Sequence, residues 1–271
     1  MPFTSSAEHS GLRPRRRRTV SPARAGFTLW PLLAATMVLI GGSAGCAALP
    51  PGSQRDPRDH FERFNRAMFE FDTGLDHAVM RPVARAYVKV TPSPVRAGIS
   101  NFLGNLAYTT TIVNDVLQGR VREFGRDLAR LIVNTTVGIG GLFDPASHLG
   151  LLRHDRDFGQ TLGRWGVRTG AYLVLPFLGP SDVRDAFGTV ADGFTTIDRR
   201  VDDTSFRYGV FGMRMLDFRA NALPTDSIID GAYDPYAFVR SAWFQHRAYK
   251  VHGSDPNYLP LLPLPDPDDP K

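Results

Sequence analysis

The sequence is poor in the features that small secreted domains and metal centres depend on. It contains one cysteine, Cys46, in 271 residues, so residues 47–271 can form no disulfide and no thiolate metal cluster. Excess charge is also missing from most of the chain. Residues 1–45 hold six of the 32 Lys and Arg residues and one of the 27 acidic residues, which leaves 26 of each and a formal net charge of zero for residues 46–271. The basic pI therefore belongs to the first 45 residues, and we predict no nucleic-acid partner.

Apolar runs long enough to cross a bilayer are lacking in the main body of the chain. Residues 131–143 carry no ionisable side chain and several glycines, but they fall short of the ~20 residues that a spanning helix needs. Residues 171–178 form a second uncharged piece that is shorter still. Such pieces can lie at membrane depth only where protein buries them or where they line a wet cavity. The alternative is that both belong to the buried core of a soluble domain.

Period-two alternation is scarce, and apolar residues recur instead at helical spacing, so the sequence predicts a mainly helical fold. Pro82 is expected to end the first helix, Gly119 to cap a helix C-terminus, Ser181 to cap a helix N-terminus, and Asp234-Pro235 to open the last helix. The predicted helices lie within residues 56–80, 95–117, 121–135, 158–166, 183–194, 206–222 and 235–249. The aromatic-rich face of the first helix suits either a core or a membrane interface.

The N-terminal region has the three-part pattern of an export signal. A basic stretch with six arginines precedes an apolar run over residues 27–40, and small residues lead directly into Cys46. This resembles the lipobox of a bacterial lipoprotein, which predicts a signal peptide over residues 1–45, an acylated Cys46 and a linker over residues 46–55. By the same resemblance, Ala47 favours the outer membrane. The alternative is an ordinary secreted protein with an unpaired cysteine.

Residues for covalent chemistry are hard to place. The segments around Ser100 and Ser181 lack the second glycine of a nucleophile elbow, so neither predicts a hydrolase. Gly138-Ile139-Gly140-Gly141 lacks the lysine of a phosphate-binding loop, and flexibility or close packing is its commoner meaning. His148 and His154 lie near acidic residues but not at helical i, i+4 spacing, so we predict no metal site. We also predict no cofactor and no enzymatic activity.

Residues 56–250 contain a series of motifs in a fixed order. The motifs include Phe64-Asn65-Arg66-Ala67-Met68-Phe69, Ser100-Asn101-Phe102-Leu103-Gly104-Asn105-Leu106, Asn134-Thr135-Thr136-Val137-Gly138-Ile139-Gly140-Gly141-Leu142-Phe143-Asp144, Asp157-Phe158-Gly159-Gln160-Thr161-Leu162-Gly163 and Asp234-Pro235-Tyr236. Taken together, these motifs resemble the MlaA (VacJ) family of outer-membrane lipoproteins. The resemblance implies an MlaA-like helical domain over residues 56–252, and composition predicts a proline-rich disordered tail over residues 253–271.

The resemblance implies an all-α, ring-like bundle of amphipathic helices, embedded in one leaflet of the outer membrane on its periplasmic side. A glycine-containing hairpin could gate its polar pore, and we assign Asn101, Phe102, Gly138, Gly140 and Gly141 to that gate. It further implies that mislocalised phospholipids leave the outer leaflet through the pore to a periplasmic carrier of the MlaC type. Its other implied partner is a trimeric porin of the OmpC/OmpF type. The alternatives are a structural lipoprotein that binds a porin without moving lipid, and a lipid hydrolase whose nucleophile we cannot place.

Overall fold

The computed structural model describes residues 56–253, and helices dominate this part of the chain. The mainly helical fold predicted from the sequence is therefore confirmed. The predicted signal peptide, Cys46, the linker and the proline-rich tail lie outside the described residues, apart from Gly253. The helices are α1 (Glu62–Leu75), a π-helical segment (Asp76–Met80), α2 (Arg81–Val90), α3 (Ser93–Leu117), α4 (Val121–Thr136), α5 (Pro145–His148), α6 (Phe158–Arg164), α7 (Val183–Asp192), a 3-10 turn (Ile197–Arg200), α8 (Thr204–Ala222), a second 3-10 turn (Leu223–Thr225), α9 (Asp226–Asp230) and α10 (Pro235–His252).

The first helix does not end at Pro82, so that prediction was wrong. The chain stays helical from α1 through the π segment into α2, and Pro82 lies in the first turn of α2. Proline normally removes a hydrogen bond and clashes with the preceding turn. Here the preceding turn is widened, because the N–H of Arg81 bonds to the carbonyl of Asp76, five residues back. The π segment thus accommodates the proline without breaking the helix.

Helices α3 and α4 follow one another in a helical hairpin. Gly119 has φ +68° in the three-residue connection, and the N–H of Gln118 bonds to the carbonyl of Asn114. The left-handed conformation at Gly119 is the one that a helix C-terminus favours. The predicted cap at Gly119 is therefore confirmed.

A short antiparallel hairpin was not predicted. Strands β1 (Tyr172–Leu175) and β2 (Gly179–Asp182) pair with Tyr172 opposite Asp182. Asn65 of α1 holds β1 in place, because its Nδ2 donates to the carbonyl of Tyr172 over 3.0 Å and its Oδ1 accepts from the N–H of Val174 over 2.9 Å. Four residues per strand are too few for alternation to stand out in the sequence.

The hydrophobic core lies where α1, β1 and α10 meet. It is formed by Met68, Tyr172, Val174, Tyr236 and Phe244. The Tyr172 and Phe244 rings lie 5.3 Å apart, and both contact further aromatic rings. The uncharged segment over residues 171–178 therefore divides: its strand belongs to this core, while its turn is exposed at Phe177 and Leu178.

Aspartate side chains cap several helix N-termini, as the positive end of the helix dipole favours. Asp234 accepts from the N–H of Ala237, which confirms the predicted start of the last helix. The predicted cap at Ser181 was wrong by one residue. Ser181 lies in β2, and Asp182 accepts from the N–H of Asp185 over 2.7 Å. Asp182 is the cap because it is the last residue of β2 and directly precedes the first residue of α7, Val183.

Candidate functional site

Helix α4 presents its polar face to the interior and its apolar residues to the outside. Asp127, Arg130 and Asn134 are buried, and their spacing of three and four residues places them on one face of the helix. On the other side Val121 and Ile132 are 81% and 53% exposed. This is the reverse of the arrangement in an ordinary soluble helix, whose apolar face packs on the core.

Helix α7 is inverted in the same way. Arg184 and Asp185 are buried, whereas Phe187 is 70% exposed and Val190 is exposed too. The apolar series that predicts this helix from the sequence is thus the surface of the molecule, not its core.

The inversion extends across the described residues. Within residues 56–253, twenty polar or charged residues are buried against twelve hydrophobic ones. Charged groups are seldom buried unless they are paired. The buried polar residues are Asp59, Glu62, Asn65, Arg66, Thr110, Thr111, Asn114, Asp115, Gln118, Asp127, Arg130, Asn134, Gln160, Thr161, Ser181, Asp182, Arg184, Asp185, Asp198 and Arg240.

Tyr108, Asp127 and His154 form one polar cluster between α3, α4 and the chain before α6, in which Tyr108 and Asp127 are buried and His154 is partly exposed. The Tyr108 hydroxyl donates to Asp127 over 2.6 Å, and His154 Nδ1 lies 2.9 Å from both Asp127 oxygens. His154 is therefore engaged by a carboxylate, while His148 is exposed. In the part of the chain that the structure describes, no group of three His, Cys, Asp or Glu residues is placed to hold a metal ion.

Asp115 is an unusual neighbour of this cluster. Its side chain is fully buried, and neither of its oxygens accepts a hydrogen bond from residues 56–253. The Arg156 Nε atom lies 3.9 Å away. Burial and the adjacent Asp127 raise the pKa of Asp115 to about 7. Near neutral pH a protonated Asp115 avoids placing two charges side by side.

The glycine-rich segment forms a compact loop (residues 137–143, the glycine loop) that packs back on α3. The N–H groups of Gly138 and Gly140 bond five residues back, to the carbonyls of Val133 and Thr135. Asn105 Nδ2 reaches the carbonyl of Gly140 over 3.3 Å and the Thr135 hydroxyl over 3.0 Å. The structure thus places the loop against one face of α3.

The residues assigned to the gate, except Phe102, lie together where the glycine loop contacts α3. Asn101 Nδ2 lies 3.5 Å from the carbonyl of Leu142. A Cβ at Gly141 would overlap Asn105, and a Cβ at Gly138 would overlap the carbonyls of Asn134 and Phe143. Phe102 is half-buried in α3, and its neighbour Asn101 is the one that bonds to the loop.

The loop backbone is strained at its centre. Ile139 has φ +54° and is exposed, a conformation that β-branched residues rarely adopt. Gly140 and Gly141 follow with φ +69° and +95°. Strain of this kind costs of the order of 1–3 kcal/mol and persists where surrounding contacts hold it. The contacts with Asn101 and Asn105 supply that constraint.

A polar cluster of Arg130, Asn134 and Asp144 lies next to the glycine loop. Arg130 donates to Asp144, and Asn134 donates to the same carboxylate over 3.0 Å. Burial alone would raise the pKa of Asp144, but its hydrogen bonds with Ser147, Arg130 and Asn134 lower it to about 2. A cavity of about 20 Å³ lies among the polar residues that link this cluster to α3, which is room for about one water molecule.

A family model described as MlaA lipoprotein matches residues 57–250. The chain belongs to the MlaA family. It is 36% identical to the intermembrane phospholipid transport system lipoprotein MlaA of Escherichia coli K12 over 216 residues, which cover 78% of this chain and 85% of that protein. It is 31% identical to the protein of the same name from Haemophilus influenzae over 213 residues, covering 77% and 85%. An uncharacterized protein of Rickettsia typhi is 35% identical over 195 residues, covering 71% and 78%.

A solved structure gives the same result for the fold. The chain matches it with a TM-score of 0.65 and 35% identity, over 73% of this chain and all of that one. That structure comes from a study described as the structural basis for maintenance of bacterial outer membrane lipid asymmetry. The resemblance to the MlaA family seen in the sequence is therefore confirmed. Within residues 56–253, no helix is long and apolar enough to cross a bilayer.

Sequence reasoning missed the residues of the MlaA interior. It followed the apolar stripes and assigned no role to Asp115, Asp127 or Arg130. The signal that could have found them is the helical spacing of Asp127, Arg130 and Asn134, three polar residues on one face of a helix whose apolar residues cover the other face. Two polar stripes on consecutive helices indicate a polar interior when the helices pair.

Proposed function

We propose that this protein is an outer-membrane lipoprotein that carries phospholipids from the outer leaflet toward the periplasm. Its relatives from Escherichia coli and Haemophilus influenzae are named as lipoproteins of an intermembrane phospholipid transport system. The inverted helices α4 and α7 carry the proposal. An exposed apolar face is costly in water but suits contact with acyl chains. A buried polar interior offers hydrogen-bonding partners to a headgroup that has to leave the membrane surface.

The mode of membrane attachment follows from two features. Acylation of Cys46 supplies one anchor, and the exposed apolar side chains of the helices supply a second. Two such signals give stable attachment where one chain alone is marginal. The body then lies partly in the periplasmic leaflet of the outer membrane, where a polar path through a ring-like, mainly helical bundle can receive lipids.

The glycine loop is the proposed gate on that path. Its strained Ile139 and the neighbouring glycines make it the element most able to change conformation at low cost. Its contacts with Asn101 and Asn105 hold one state. Transport then needs no covalent chemistry and no cofactor, only a change in these hydrogen bonds.

Two protein partners belong to the proposal. A periplasmic carrier of the MlaC type takes the lipid after it has passed the polar interior, and a trimeric porin of the OmpC/OmpF type packs against part of the apolar surface. The exposed phenylalanines, among them Phe187, Phe211 and Phe218, offer apolar area for a porin wall or for acyl chains. A complex purified in mild detergent would identify which partners bind.

Reconstitution tests the function. The protein is placed in vesicles that contain fluorescent phospholipid, purified carrier is added, and lipid on the carrier is measured after separation. We expect transfer that depends on the protein. Stable membrane association with no transfer above empty vesicles would leave a structural lipoprotein, and release of lyso-lipid would indicate a hydrolase.

A further inference from the structure

Two adjoining cavities at the end of α10 are lined by arginines. One has a volume of about 750 Å³ and the other of about 550 Å³. They share five lining residues, Arg168, Thr169, Arg184, Val251 and His252, and we call them together the arginine groove. Five arginines and two histidines line the groove, namely Arg58, Arg164, Arg168, Arg184, Arg247, His60 and His252.

The charged residues that line the groove are all basic. Its lining contains no aspartate or glutamate among residues 56–253, although residues 46–271 as a whole have a formal net charge of zero. The carboxylates that pair with three of the arginines lie outside the lining: Asp56 pairs with Arg58, Asp157 and Asp185 pair with Arg247, and Asp182 and Asp185 pair with Arg184. A concave surface with charge of one sign concentrates the field and attracts an ion of the opposite sign.

Two arginines of the groove are available for a ligand. Arg164 and Arg168 are exposed, and neither forms a salt bridge with any of the described residues. The loop that carries Arg168 is fixed by backbone bonds, from Val183 N–H to the Ala171 carbonyl and from Arg184 N–H to the Thr169 carbonyl. Arg184 bonds to Asp185 through Nε over 3.0 Å, and its Nη2 atom lies 3.7 Å from an Asp182 oxygen, so the charge of Arg184 is already paired within the described chain.

The floor of the larger cavity is apolar. Phe244, Ala248 and Val251 of α10 contribute to it. The Arg58 guanidinium lies over the Phe244 ring at 4.0 Å from its centroid, which orients the guanidinium in the groove. An amphiphile with an anionic group and an adjoining apolar part fits this combination better than a bare anion does.

We propose that the arginine groove binds the phosphate group of a glycerophospholipid. The planar guanidinium matches two phosphate oxygens at once, which makes arginine the preferred partner of phosphate diesters. The inference rests on the proposed lipid function and assigns it a second binding place, separate from the polar cluster around Asp127.

Calorimetric titration of the full-length protein in detergent tests the proposal, with dihexanoyl phosphatidylglycerol, dihexanoyl glycerol and inorganic phosphate as probes. We expect the phospholipid to bind and dihexanoyl glycerol not to bind. The double variant with Arg164→Ala and Arg168→Ala should bind the phospholipid with an affinity lower by about tenfold or more. Arg126→Ala and Arg207→Ala, which remove exposed arginines outside the groove, should bind like the wild type.

Four results would overturn the proposal. Unchanged phospholipid affinity of the double variant would remove the groove as the site. An equal loss of phospholipid affinity in the two control variants would show that the phospholipid is attracted by the positive charge of the protein in general and not by the groove. Inorganic phosphate binding as tightly as the phospholipid would make the ligand free phosphate. Weaker carrier binding with intact phospholipid binding would make the groove a surface for an acidic protein. Vesicle transfer by the wild-type protein is measured independently of these four results, so failure of the groove and failure of the transport function are distinguishable.

Discussion

The hydroxyl of Tyr108 on α3 donates a hydrogen bond to the Asp127 carboxylate on α4 over 2.6 Å. The bond joins the two arms of the helical hairpin through side chains that are both buried. In a soluble bundle two leucines would occupy such positions. The hairpin is thus held together by a polar seam, and its apolar residues remain outside.

Replacing Tyr108 tests how much this seam contributes to stability. Tyr108→Phe removes the hydroxyl and leaves Asp127 with one partner fewer, so we expect the free energy of unfolding to fall by about 1–3 kcal/mol. Tyr208→Phe is the matched control, because Tyr208 is exposed. Denaturant unfolding in detergent provides the measurement. Equal small effects of both substitutions would show that the seam does not stabilise the hairpin.

Asp115 should give the protein an unusual pH dependence. Its folded-state pKa of about 7 lies above the ordinary value of 3.8, so its stabilising contribution is complete below about pH 4 and is lost as the pH rises through about 7. Asp115→Asn cannot ionise. We expect the variant to be more stable than the wild type at pH 8, by about 1 kcal/mol or more, and to show a flatter stability profile from pH 4 to 7.

The charged groups around Asp115 are the same in the wild type and in Asp115→Asn, so the two pH profiles of stability can be compared directly. Asp127, Arg156 and Arg120 act on Asp115 electrostatically, and all three remain in the variant. Asp202→Asn, an exposed substitution, should follow the wild-type profile throughout. If Asp115→Asn and the wild type lose stability in parallel between pH 4 and 8, Asp115 is ionised in the folded protein and the expectation is wrong.

Substitutions of glycine test how tightly the glycine loop is packed. A Cβ at Gly138 would overlap two backbone carbonyls, so Gly138→Ala should destabilise the protein by about 1–3 kcal/mol. Gly125→Ala, where nothing lies within 4 Å of the added Cβ, should stabilise α4 by roughly 0.5–1 kcal/mol. Thermal unfolding of both variants checks the pair, and a neutral Gly138→Ala would mean that the loop is not held in the observed conformation.

Asn105→Ala addresses the gate itself. It removes the bonds to Thr135 and Gly140, so the loop should open more readily and the rate of lipid transfer from vesicles should change at least twofold, with about 1 kcal/mol of stability lost. Asn221→Ala, an exposed asparagine of α8, provides the comparison. If Asn105→Ala lowers abundance and stability while the transfer rate per folded molecule stays at the wild-type value, Asn105 is a packing residue only.

Cys46→Ala tests the anchor. The variant should incorporate no labelled palmitate in cells and should leave the outer-membrane fraction. Cys46→Ser keeps the size of the side chain and is expected to behave in the same way. Palmitate labelling that survives either substitution would place acylation elsewhere and refute the lipobox prediction.

The sequence predicted features set by short-range chemistry. Gly119 and Asp234 end or begin helices through one residue's own conformation or charge, and both predictions are confirmed. Pro82 and Ser181 were wrong because neighbours decide there: Arg81 bonds across a widened turn, and Asp182 competes for the cap. Most of the interior could not be predicted from apolar spacing. That spacing identifies the apolar face of a helix, and in α4 and α7 this face is exposed instead of packed on the core.

The central claim is that the exposed apolar faces contact acyl chains. Single cysteines introduced at Ile132 and Phe187, both exposed on inverted faces, are labelled with an environment-sensitive fluorophore, and quenching by lipids brominated on their acyl chains is measured in vesicles. A cysteine at the exposed Asp202 provides the reference. The account predicts strong quenching at Ile132 and Phe187 relative to Asp202. Equal, weak quenching at all three positions in membrane-bound protein would contradict it.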